Sequence, residues 1–359
     1  MQRVYNFSAG PSVLPLPVLE KAAAQMTCYE DKGMSVMEMS HRSSMYIEIY
    51  EKTVALLREL MAIPENYKVL FIQGGATMQF SAIPMNITKA GKAAYIDSGN
   101  FAANAIKAAK AYTEVQVIGS SKEDNYSHIP DYDLAAIEKP CDYLYITTNN
   151  TIFGTKYSVL PEVEGVPLVA DASSNILSEE MDITKFGLMF AGAQKNIGPA
   201  GMAIVIIRDD LLGYASPITP NVLNYTLMAA NDSMINTPPT YGIYIAMLVF
   251  EWLKELGGVK EISKINYYKA GLLYEFLDNS SLFRTPAKKE DRSIMNVTFT
   301  LPTKEQDKDF VAKAAKAGFV NLAGHRLVGG MRASIYNAMP VEGIKALVDF
   351  MAKYEQENK

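Results

Sequence analysis

Cysteine, histidine and tryptophan are scarce in this chain, which has two, three and one of them among 359 residues. Two cysteines, Cys28 and Cys141, are too few for a disulfide framework, and this usage favours a reducing compartment. The histidines and cysteines are also scattered without the spacing of metal ligands. We therefore expect neither structural disulfides nor a metal site.

Excess positive charge and long apolar runs are also missing. A net charge of −5 argues against nucleic acid or an anionic membrane as the general partner. No uninterrupted apolar run approaches the length that spans a membrane. The first residues, MQRVYNFSAGPSVLP, do not have the basic and then apolar pattern of a signal peptide. We expect a cytoplasmic protein that attracts anions only through local clusters of positive charge.

Short apolar runs alternate with helical segments through the first two-thirds of the chain. Helical spacing occurs at 77–87, 101–112 and 131–138. Strands are predicted at 69–72, 93–96, 115–118, 143–147, 167–170, 187–191 and 203–207. This alternation predicts an α/β fold whose large domain contains a mainly parallel, seven-stranded sheet covered by helices. The last three runs lie close together in sequence, which indicates a hairpin or an edge strand within a mixed sheet.

The pattern changes after residue 240 to that of a smaller α+β domain. Helices are predicted at 241–256, 259–277, 304–317 and 341–354, and strands at 294–301 and 331–335. A chain of this length is expected to form two domains. We predict a large cofactor-binding domain over 16–258, and a small C-terminal domain formed by 259–359 together with 1–15.

An acid and an amine follow two of the predicted strands. The run at 167–170 ends at Asp171, and the run at 187–191 leads into a glycine-rich turn with Gln194 and Lys195. Ligands of α/β proteins bind just beyond the carboxyl ends of parallel strands. Pyridoxal 5'-phosphate needs such a pair, because its ring nitrogen binds a carboxylate and its aldehyde binds a lysine. Either residue alone is better explained as a helix cap or an exposed turn, but the pair favours this cofactor.

Two further segments are suited to a phosphate group. Residues 73–77, QGGAT, directly follow a predicted strand and begin a helix, where small residues let backbone N–H groups approach an anion. Their spacing differs from both dinucleotide and Walker motifs, which disfavours those ligands. Residues 236–240, NTPPT, are predicted to start the next helix, and their polar side chains could also reach a phosphate.

Arginine directly follows two of the three histidines, at His41-Arg42 and His325-Arg326. Arg332 lies six residues after Arg326, although the whole chain has only eight arginines. Guanidinium groups bind carboxylate and phosphate in a bidentate manner, and an adjacent histidine adds a donor. One such pair alone is more often a surface coincidence. Together the pairs predict a substrate with two anionic ends.

The chain resembles the phosphoserine aminotransferases over its whole length. The matching motifs are YNFSAGP at 5–11, SHRS at 40–43, GGATMQF at 74–80, DASSN at 171–175, AQKNIGPAG at 193–201, NTPPTY at 236–241 and GHRLVGGMRASIYNAMP at 324–340. The resemblance implies the aspartate-aminotransferase fold, which is fold type I of the pyridoxal-phosphate enzymes. It also implies a homodimer with active sites shared between the subunits.

The resemblance implies a set of cofactor-binding positions. Lys195 corresponds to the lysine that carries the cofactor, and Asp171 to the carboxylate at its ring nitrogen. Thr151 corresponds to the partner of the cofactor's phenolic oxygen. The phosphate-binding positions correspond to Ala76, Thr77 and Gln194, and, from the other subunit, to Asn236 and Thr237.

The resemblance also implies how substrate binds and where the chain departs from the family. Arg332 corresponds to the arginine for the α-carboxylate, and the residues around the distal phosphate correspond to His41, Arg42, His325 and Arg326. Phe101 stands where the family usually stacks a tryptophan on the cofactor, so it keeps the aromatic face without the indole N–H. TNNTIFG at 148–154 replaces the usual CPNETIDG and keeps the threonine.

The implied reaction exchanges an amino group between O-phospho-L-serine and 2-oxoglutarate, giving 3-phosphohydroxypyruvate and glutamate, in serine biosynthesis. A role in vitamin B6 biosynthesis through 4-phosphohydroxythreonine stays open. One alternative is another fold-type I enzyme, such as a serine–glyoxylate aminotransferase. A cysteine desulfurase is disfavoured, because Cys28 lies in a predicted helical segment and Cys141 precedes a strand. The other alternative is a non-catalytic anion-binding protein, against which the intact Lys195 and Asp171 argue.

Overall fold

The computed structural model describes residues 3–358, so the outermost residues of the predicted small domain (1, 2 and 359) lie outside the described part. Its helices are α1 Leu16–Ala24, α2 Ser44–Met61, α3 Gly75–Ile87, α4 Asn100–Ala109, α5 Tyr225–Ala230, α6 Thr240–Glu255, α7 Gly258–Asn279, α8 Lys304–Lys316 and α9 Val341–Glu357. Its strands are β1 Tyr5–Asn6, β2 Tyr67–Gln73, β3 Lys92–Asp97, β4 Glu114–Ser120, β5 Leu144–Thr147, β6 Asn149–Asn150, β7 Thr155–Lys156, β8 Leu168–Asp171, β9 Leu188–Gly192, β10 Met202–Arg208, β11 Asn296–Phe299, β12 Phe319–Val320 and β13 Met331–Ser334.

A seven-stranded sheet forms the centre of the larger part of the molecule. Its strand order is β2-β10-β9-β8-β5-β3-β4, and each strand corresponds to one of the seven predicted runs. Only β10 runs antiparallel to its neighbours, β9 and β2, while the other pairs in the sheet are parallel. The prediction of a mainly parallel mixed sheet is therefore confirmed. The hairpin is β9–β10, and β2 rather than β10 lies at the edge.

Both faces of this sheet are buried except at edge strand β4, which explains why the other six strands are mostly apolar runs. Successive side chains of a strand point to opposite faces. Leu144 and Ile146 accordingly join the hydrophobic cluster that includes α1, α2 and α6. Tyr143 and Tyr145 join the cluster on the other face, which includes α3, α4 and α5. This arrangement leaves the loops at the carboxyl ends of the strands open to form a site.

The prediction of a helix at 131–138 is wrong. That stretch contains only a short 3-10 turn at Leu134–Ala136, and the rest is extended along edge strand β4. The reason is a set of hydrogen bonds to β4. The side chain of Gln116 donates to the Ala136 carbonyl at 2.8 Å and accepts from the Glu138 N–H at 3.0 Å. The Asp133 N–H also donates to the Ile118 carbonyl at 3.4 Å.

The C-terminal third has a second hydrophobic cluster. It contains side chains of α7, α8, α9, β11 and β13, together with Phe7 from the N-terminal segment. Strand β1 pairs with β12, so this segment is joined to the C-terminal third. Helix α7 lies between the clusters, because Val259 and Ile262 belong to the first and Leu273 to the second. The domain boundaries proposed from the sequence stay a prediction. Within residues 3–358, no helix combines the length and the apolar character needed to cross a membrane.

Cys28 is not helical, contrary to the prediction. Helix α1 ends at Ala24, and Cys28 lies in the irregular segment that follows. Its sulfur accepts a hydrogen bond from the Gly33 N–H at 3.3 Å, and Glu30 and Asp31 between them have positive φ angles of 41° and 59°. A backbone in that conformation cannot continue a right-handed helix.

Candidate active site

A cavity of about 450 Å³ opens at the carboxyl ends of the parallel strands. Strand β8 ends at Asp171, and the turn between β9 and β10 carries Gln194 and Lys195. Because β8 and β9 are neighbouring parallel strands, the acid and the amine that are 24 positions apart in sequence reach the same cavity. The site expected from the sequence at this end of the sheet is therefore present.

Lys195 is buried at the base of this cavity, with a relative exposure of 7%. Its Nζ donates to Thr151 Oγ1 at 2.8 Å and lies 5.5 Å from the ring centroid of Phe101. Burial lowers the pKa of Lys195 to about 8; the Asp171 carboxylate opposes this shift and the Arg332 guanidinium adds to it. Near neutral pH, Lys195 therefore loses its proton much more readily than an exposed lysine.

Asp171 is also buried, and burial raises the pKa of its carboxyl group. The rise is opposed by hydrogen bonding from Ser173, whose N–H lies 2.9 Å from Asp171 Oδ1, and by the charge of Lys195. The Ser173 hydroxyl accepts the Gly192 N–H at 2.9 Å, which ties the loop after β8 to the end of β9. Ser173 thus holds the carboxylate in place relative to the turn that bears Lys195.

The N-terminus of α3 forms another wall. Gly74 is the N-cap residue, with a φ of 97°, and it has no side chain to cap the first N–H groups of the helix. Those groups belong to Gly75, Ala76 and Thr77, and all of these residues line the cavity together with Gln194. Free N–H groups at a helix N-terminus attract an anion. The structure therefore places the QGGAT segment at the cavity with its first N–H groups uncapped, and its role in binding an anion stays a prediction.

The N-terminal strap, residues 9–12, is a part of the site to which sequence reasoning assigned no role. The Ser12 N–H donates to the Gln194 carbonyl at 2.9 Å, and the Ser12 hydroxyl donates to the Lys195 carbonyl at 2.7 Å. Gly10 has a φ of 144°, and a Cβ there would lie 3.3 Å from Gln194 Cγ. The positive φ, together with this close approach to the lysine turn, favours glycine at position 10. The run SAGPS at residues 8–12 is the only feature of the sequence that indicates the contact between the strap and the lysine turn.

Arg332 and His325 reach the cavity from the C-terminal third of the chain. Arg332 lies on β13, and its Nη1 donates to the Thr151 carbonyl at 3.1 Å. His325 lies in the loop before β13, where burial and the charges of Arg332 and Arg326 lower the pKa of its imidazole. The C-terminal third therefore contributes a guanidinium group held by the Thr151 carbonyl and, near neutral pH, a mainly neutral imidazole to the cavity lining.

The remaining predicted residues do not line this cavity within the described part of the chain. They are His41, Arg42, Asn236, Thr237 and Arg326. Arg42, Asn236, Thr237 and Arg326 are exposed, and the Thr237 carbonyl accepts from the Gln73 side chain at 2.6 Å. His41 Nε2 is buried and has no hydrogen-bond partner among the described residues. The single chain therefore does not bring every predicted residue into one site.

The residues that do meet fit pyridoxal 5'-phosphate in their chemistry. The phosphate needs donors, which the uncapped N-terminus of α3 supplies. The ring nitrogen needs a carboxylate, the aldehyde needs an amine and the ring face needs an apolar plane; Asp171, Lys195 and Phe101 can supply them. The close approach at Gly10 leaves the strap packed on the lysine turn rather than filling the cavity.

Comparison with known proteins agrees with this chemistry. The family model "Aminotransferase class-V" matches residues 4–347. The phosphoserine aminotransferase of Bacillus cereus is 54% identical over 360 residues, with 100% of each chain covered. The phosphoserine aminotransferase of Bacillus circulans subsp. alkalophilus has a solved structure with a TM-score of 0.97 and 42% identity, again over 100% of each chain. A solved structure of the pyridoxal-phosphate-bound enzyme from Trichomonas vaginalis has a TM-score of 0.94 and 38% identity, covering 98% of this chain and 100% of that one.

Proposed function

The chain belongs to the phosphoserine aminotransferases of the class-V aminotransferase family, and from this membership we propose the reaction and the role of each residue in the site. The reaction is amino transfer from O-phospho-L-serine to 2-oxoglutarate, giving 3-phosphohydroxypyruvate and glutamate, with pyridoxal 5'-phosphate as cofactor. The observation that carries the proposal is the position of Lys195, whose buried amine shares one cavity with Asp171 and Arg332 and whose pKa responds to the charges of both.

The cofactor chemistry depends on Lys195 and Asp171. When bound, pyridoxal phosphate supplies an aldehyde that accepts the amino group and a ring that takes up the electron pair freed at Cα. The Asp171 carboxylate would hold the ring nitrogen and favour its protonated form. Lys195 would hold the cofactor through its aldehyde, and once the substrate amine has taken its place, the neutral Nζ would accept the proton from the substrate Cα. The lowered pKa of Lys195 suits this base to neutral pH.

Thr151 and Phe101 orient the reacting groups. The Thr151 hydroxyl is already hydrogen-bonded to Lys195 Nζ and can also meet the phenolic oxygen of the cofactor. Phe101 would offer its ring face to the pyridine ring of the cofactor. Ala76, Thr77 and Gln194, which line the cavity at the N-terminus of α3, would hold the phosphate.

Arg332 is assigned to the α-carboxylate that every amino-acid substrate shares. Arg332 lines the cavity, and its guanidinium donates to the Thr151 carbonyl. His325 and Arg326 are assigned to the distal phosphate of phosphoserine or the γ-carboxylate of glutamate. Two anions held at opposite ends orient the Cα–H bond toward Lys195, which is how positioning lowers the barrier.

We further propose that the enzyme is a homodimer in the cytoplasm. His41, Arg42, Asn236 and Thr237 do not line the cavity of their own chain, which supports a role in the site of a second copy. There, Asn236 and Thr237 would meet the cofactor phosphate, and His41 and Arg42 the distal anion of the substrate. The unpartnered Nε2 of His41 favours the same arrangement. The two free cysteines are in keeping with a reducing compartment.

The test is a visible absorbance spectrum of the purified protein loaded with pyridoxal phosphate. Addition of phosphoserine should shift the band, and subsequent addition of 2-oxoglutarate should restore it and release glutamate. Serine is the matched control ligand, since it lacks only the phosphate, and it should act at much higher concentrations. Absence of any visible band, or equal response to serine and phosphoserine, would refute the proposed reaction.

A further inference from the structure

A fully buried lysine lies outside the cavity and outside every motif identified from the sequence. Lys269, on α7, has a relative exposure of 0%. Its Nζ donates to the carbonyls of Ile335 at 2.9 Å, Tyr336 at 2.8 Å and Met339 at 3.0 Å, with the Asn337 carbonyl at 3.5 Å. All of these carbonyls belong to residues 335–339, which we call the 335–339 turn.

The contacts of Lys269 match an ammonium group. Lysine has three N–H donors and no acceptor when charged, and three carbonyl oxygens lie within 3.0 Å. Burial lowers the pKa of Lys269 to about 7, while the carbonyl dipoles favour its charged form. Within residues 3–358 no carboxylate forms an ion pair with it. A buried cation without a counter-charge is costly, and an apolar residue would fill this position more cheaply.

The 335–339 turn directly continues β13, which carries Arg332. It is also tied to the wall of the cavity, because the Tyr336 hydroxyl donates to the Ala9 carbonyl at 2.7 Å and accepts from Asn296 at 3.2 Å. Ala9 lines the cavity beside Gly10. The position of the turn therefore sets where the strap and the Arg332 strand lie.

A second connection joins the same turn to the lysine of the site. The Asn337 N–H donates to Asn196 Oδ1 at 3.0 Å, and Asn196 directly follows Lys195. The Asn337 side chain accepts from Asn266 at 2.8 Å and donates to the Leu177 carbonyl at 2.8 Å. Asn266 is one turn before Lys269 on α7, so both residues grip the 335–339 turn from one face of the helix.

We infer that Lys269 is a positioning residue, whose ammonium group holds the 335–339 turn in the geometry that aligns Arg332 with Lys195. Lys269 touches neither cofactor nor substrate and acts only through the turn. The 335–339 turn joins β13, which carries Arg332, to the segment that carries Lys195, through the hydrogen bond from Asn337 to Asn196. The inference rests on the proposed function for these roles of Arg332 and Lys195.

The test replaces Lys269 by methionine, which keeps the apolar stem and removes all three donors. A pH titration of the visible band of bound pyridoxal phosphate reports the surroundings of Lys195. In Lys269→Met its midpoint should move upward, because a displaced Arg332 no longer lowers the pKa of the lysine. The dissociation constants of phosphoserine and glutamate, from spectral titration without a co-substrate, should both rise by about 2- to 30-fold.

Arg58→Met is the matched control. Arg58 is another helix cation that holds backbone carbonyls, those of Pro64 at 3.0 Å and Tyr67 at 2.5 Å, but at the opposite end of β2 from the site. It should lower the melting temperature and leave the titration midpoint and both dissociation constants unchanged. If Lys269→Met and Arg58→Met shift the midpoint and the dissociation constants equally, the cause is a general loosening of the fold, and the inference is overturned.

A second variant guards against failure of Lys269→Met to fold. Asn337→Ala removes the links to Asn266 and Leu177, and should shift the midpoint and the dissociation constants in the same direction. A lower melting temperature with unshifted spectra in either folded variant overturns the positioning role. The two failures are distinguishable: a wild-type protein without a visible band overturns both proposals, whereas a normal wild-type band with unshifted variants overturns only this one.

Discussion

Arg332 Nη1 lies 3.1 Å from the carbonyl oxygen of Thr151, and the hydroxyl of the same threonine lies 2.8 Å from Lys195 Nζ. Thr151 therefore joins, through its backbone and its side chain, the cation proposed for the α-carboxylate and the amine proposed to carry the cofactor. Residues next to the two groups belong to different hydrophobic clusters: Ala193 and Ile197 to the one on the sheet, Met331 and Ala333 to the one in the C-terminal third. Displacement of either cluster would change the distance between Arg332 and Lys195. The roles of these two charges can therefore be separated by mutation.

The first prediction separates the two anion sites. Arg332→Ala should slow the half-reactions of phosphoserine, glutamate and plain alanine, since all three share the α-carboxylate. Loss of one partner of a desolvated charge pair costs roughly 2–5 kcal/mol, which is about 30- to several-thousand-fold. Arg326→Ala should slow phosphoserine and glutamate but leave alanine nearly unchanged. Single-turnover kinetics with the three amino acids measure this, and equal slowing of all three by Arg326→Ala would contradict the distal role.

The second prediction concerns pH. Only the neutral amine of Lys195 can attack the aldehyde of pyridoxal phosphate, and burial lowers its pKa to about 8. The rate of reaction of the apoprotein with the cofactor should therefore rise with pH through about 8, rather than near the ordinary lysine value. Asp171→Asn removes a charge that raises the pKa of Lys195, so the midpoint of the rate against pH should fall. Arg332→Gln removes a charge that lowers this pKa, so the midpoint should rise. Stopped-flow absorbance over a pH series measures all three, and a common midpoint would refute the assignment of these charges.

The third prediction concerns the shared site. If His41 and Arg42 serve the site of the partner subunit, a Lys195→Ala chain and an Arg42→Ala chain can each supply what the other lacks. Mixing the two inactive variants under conditions of subunit exchange should restore up to about a quarter of the wild-type activity per chain, because one intact site forms in each hybrid dimer. The homodimer of each variant is the control. No recovery, in a mixture shown to contain hybrids, would place Arg42 in its own chain's site.

The fourth prediction concerns Phe101. Aromatic pairs contribute about 0.5–1.5 kcal/mol beyond their buried area, so Phe101→Leu should weaken cofactor binding by about 2- to 10-fold. Phe101→Trp, which restores the usual family residue, should bind at least as tightly as the natural protein. Equilibrium dialysis of the apoprotein with pyridoxal phosphate gives both constants. Tighter binding by the leucine variant would show that Phe101 does not stack on the cofactor.

Much of the fold could be predicted from local sequence. Six of the seven strands of the main sheet are mostly buried apolar runs, and their burial on both faces is what removes the polar alternation. The edge strand β4, EVQVIGS, has no fully buried residue and keeps polar residues among its apolar ones. The boundary between α6 and α7 is predictable from the Gly257-Gly258 pair, which interrupts the helical pattern. In the structure these residues have positive φ angles of 98° and 77° where α6 has ended and α7 begins. Residues 131–138 misled the prediction, because hydrogen bonds from Gln116 on β4 outweigh a weak helical pattern.

Some residues of the candidate site could likewise be predicted from local sequence, and others could not. Asp171, Lys195 and the QGGAT segment could be located from the sequence alone, since the end of a strand is a local property and the carboxyl ends of parallel strands meet. The contact of Ser12 with Lys195 spans 183 positions and that of Arg332 with Thr151 spans 181, and no local pattern encodes them. Lys269 is the clearest case: in the sequence it is one of many charged residues in a long helix, and only the packing of α7 against the 335–339 turn buries it. Local periodicity determined the helices and strands, and the ends of the strands determined the cofactor pair Asp171 and Lys195. Tertiary packing decided which cations are buried and which groups are the partners of buried polar atoms. These features depend on surfaces that meet only once the chain has folded.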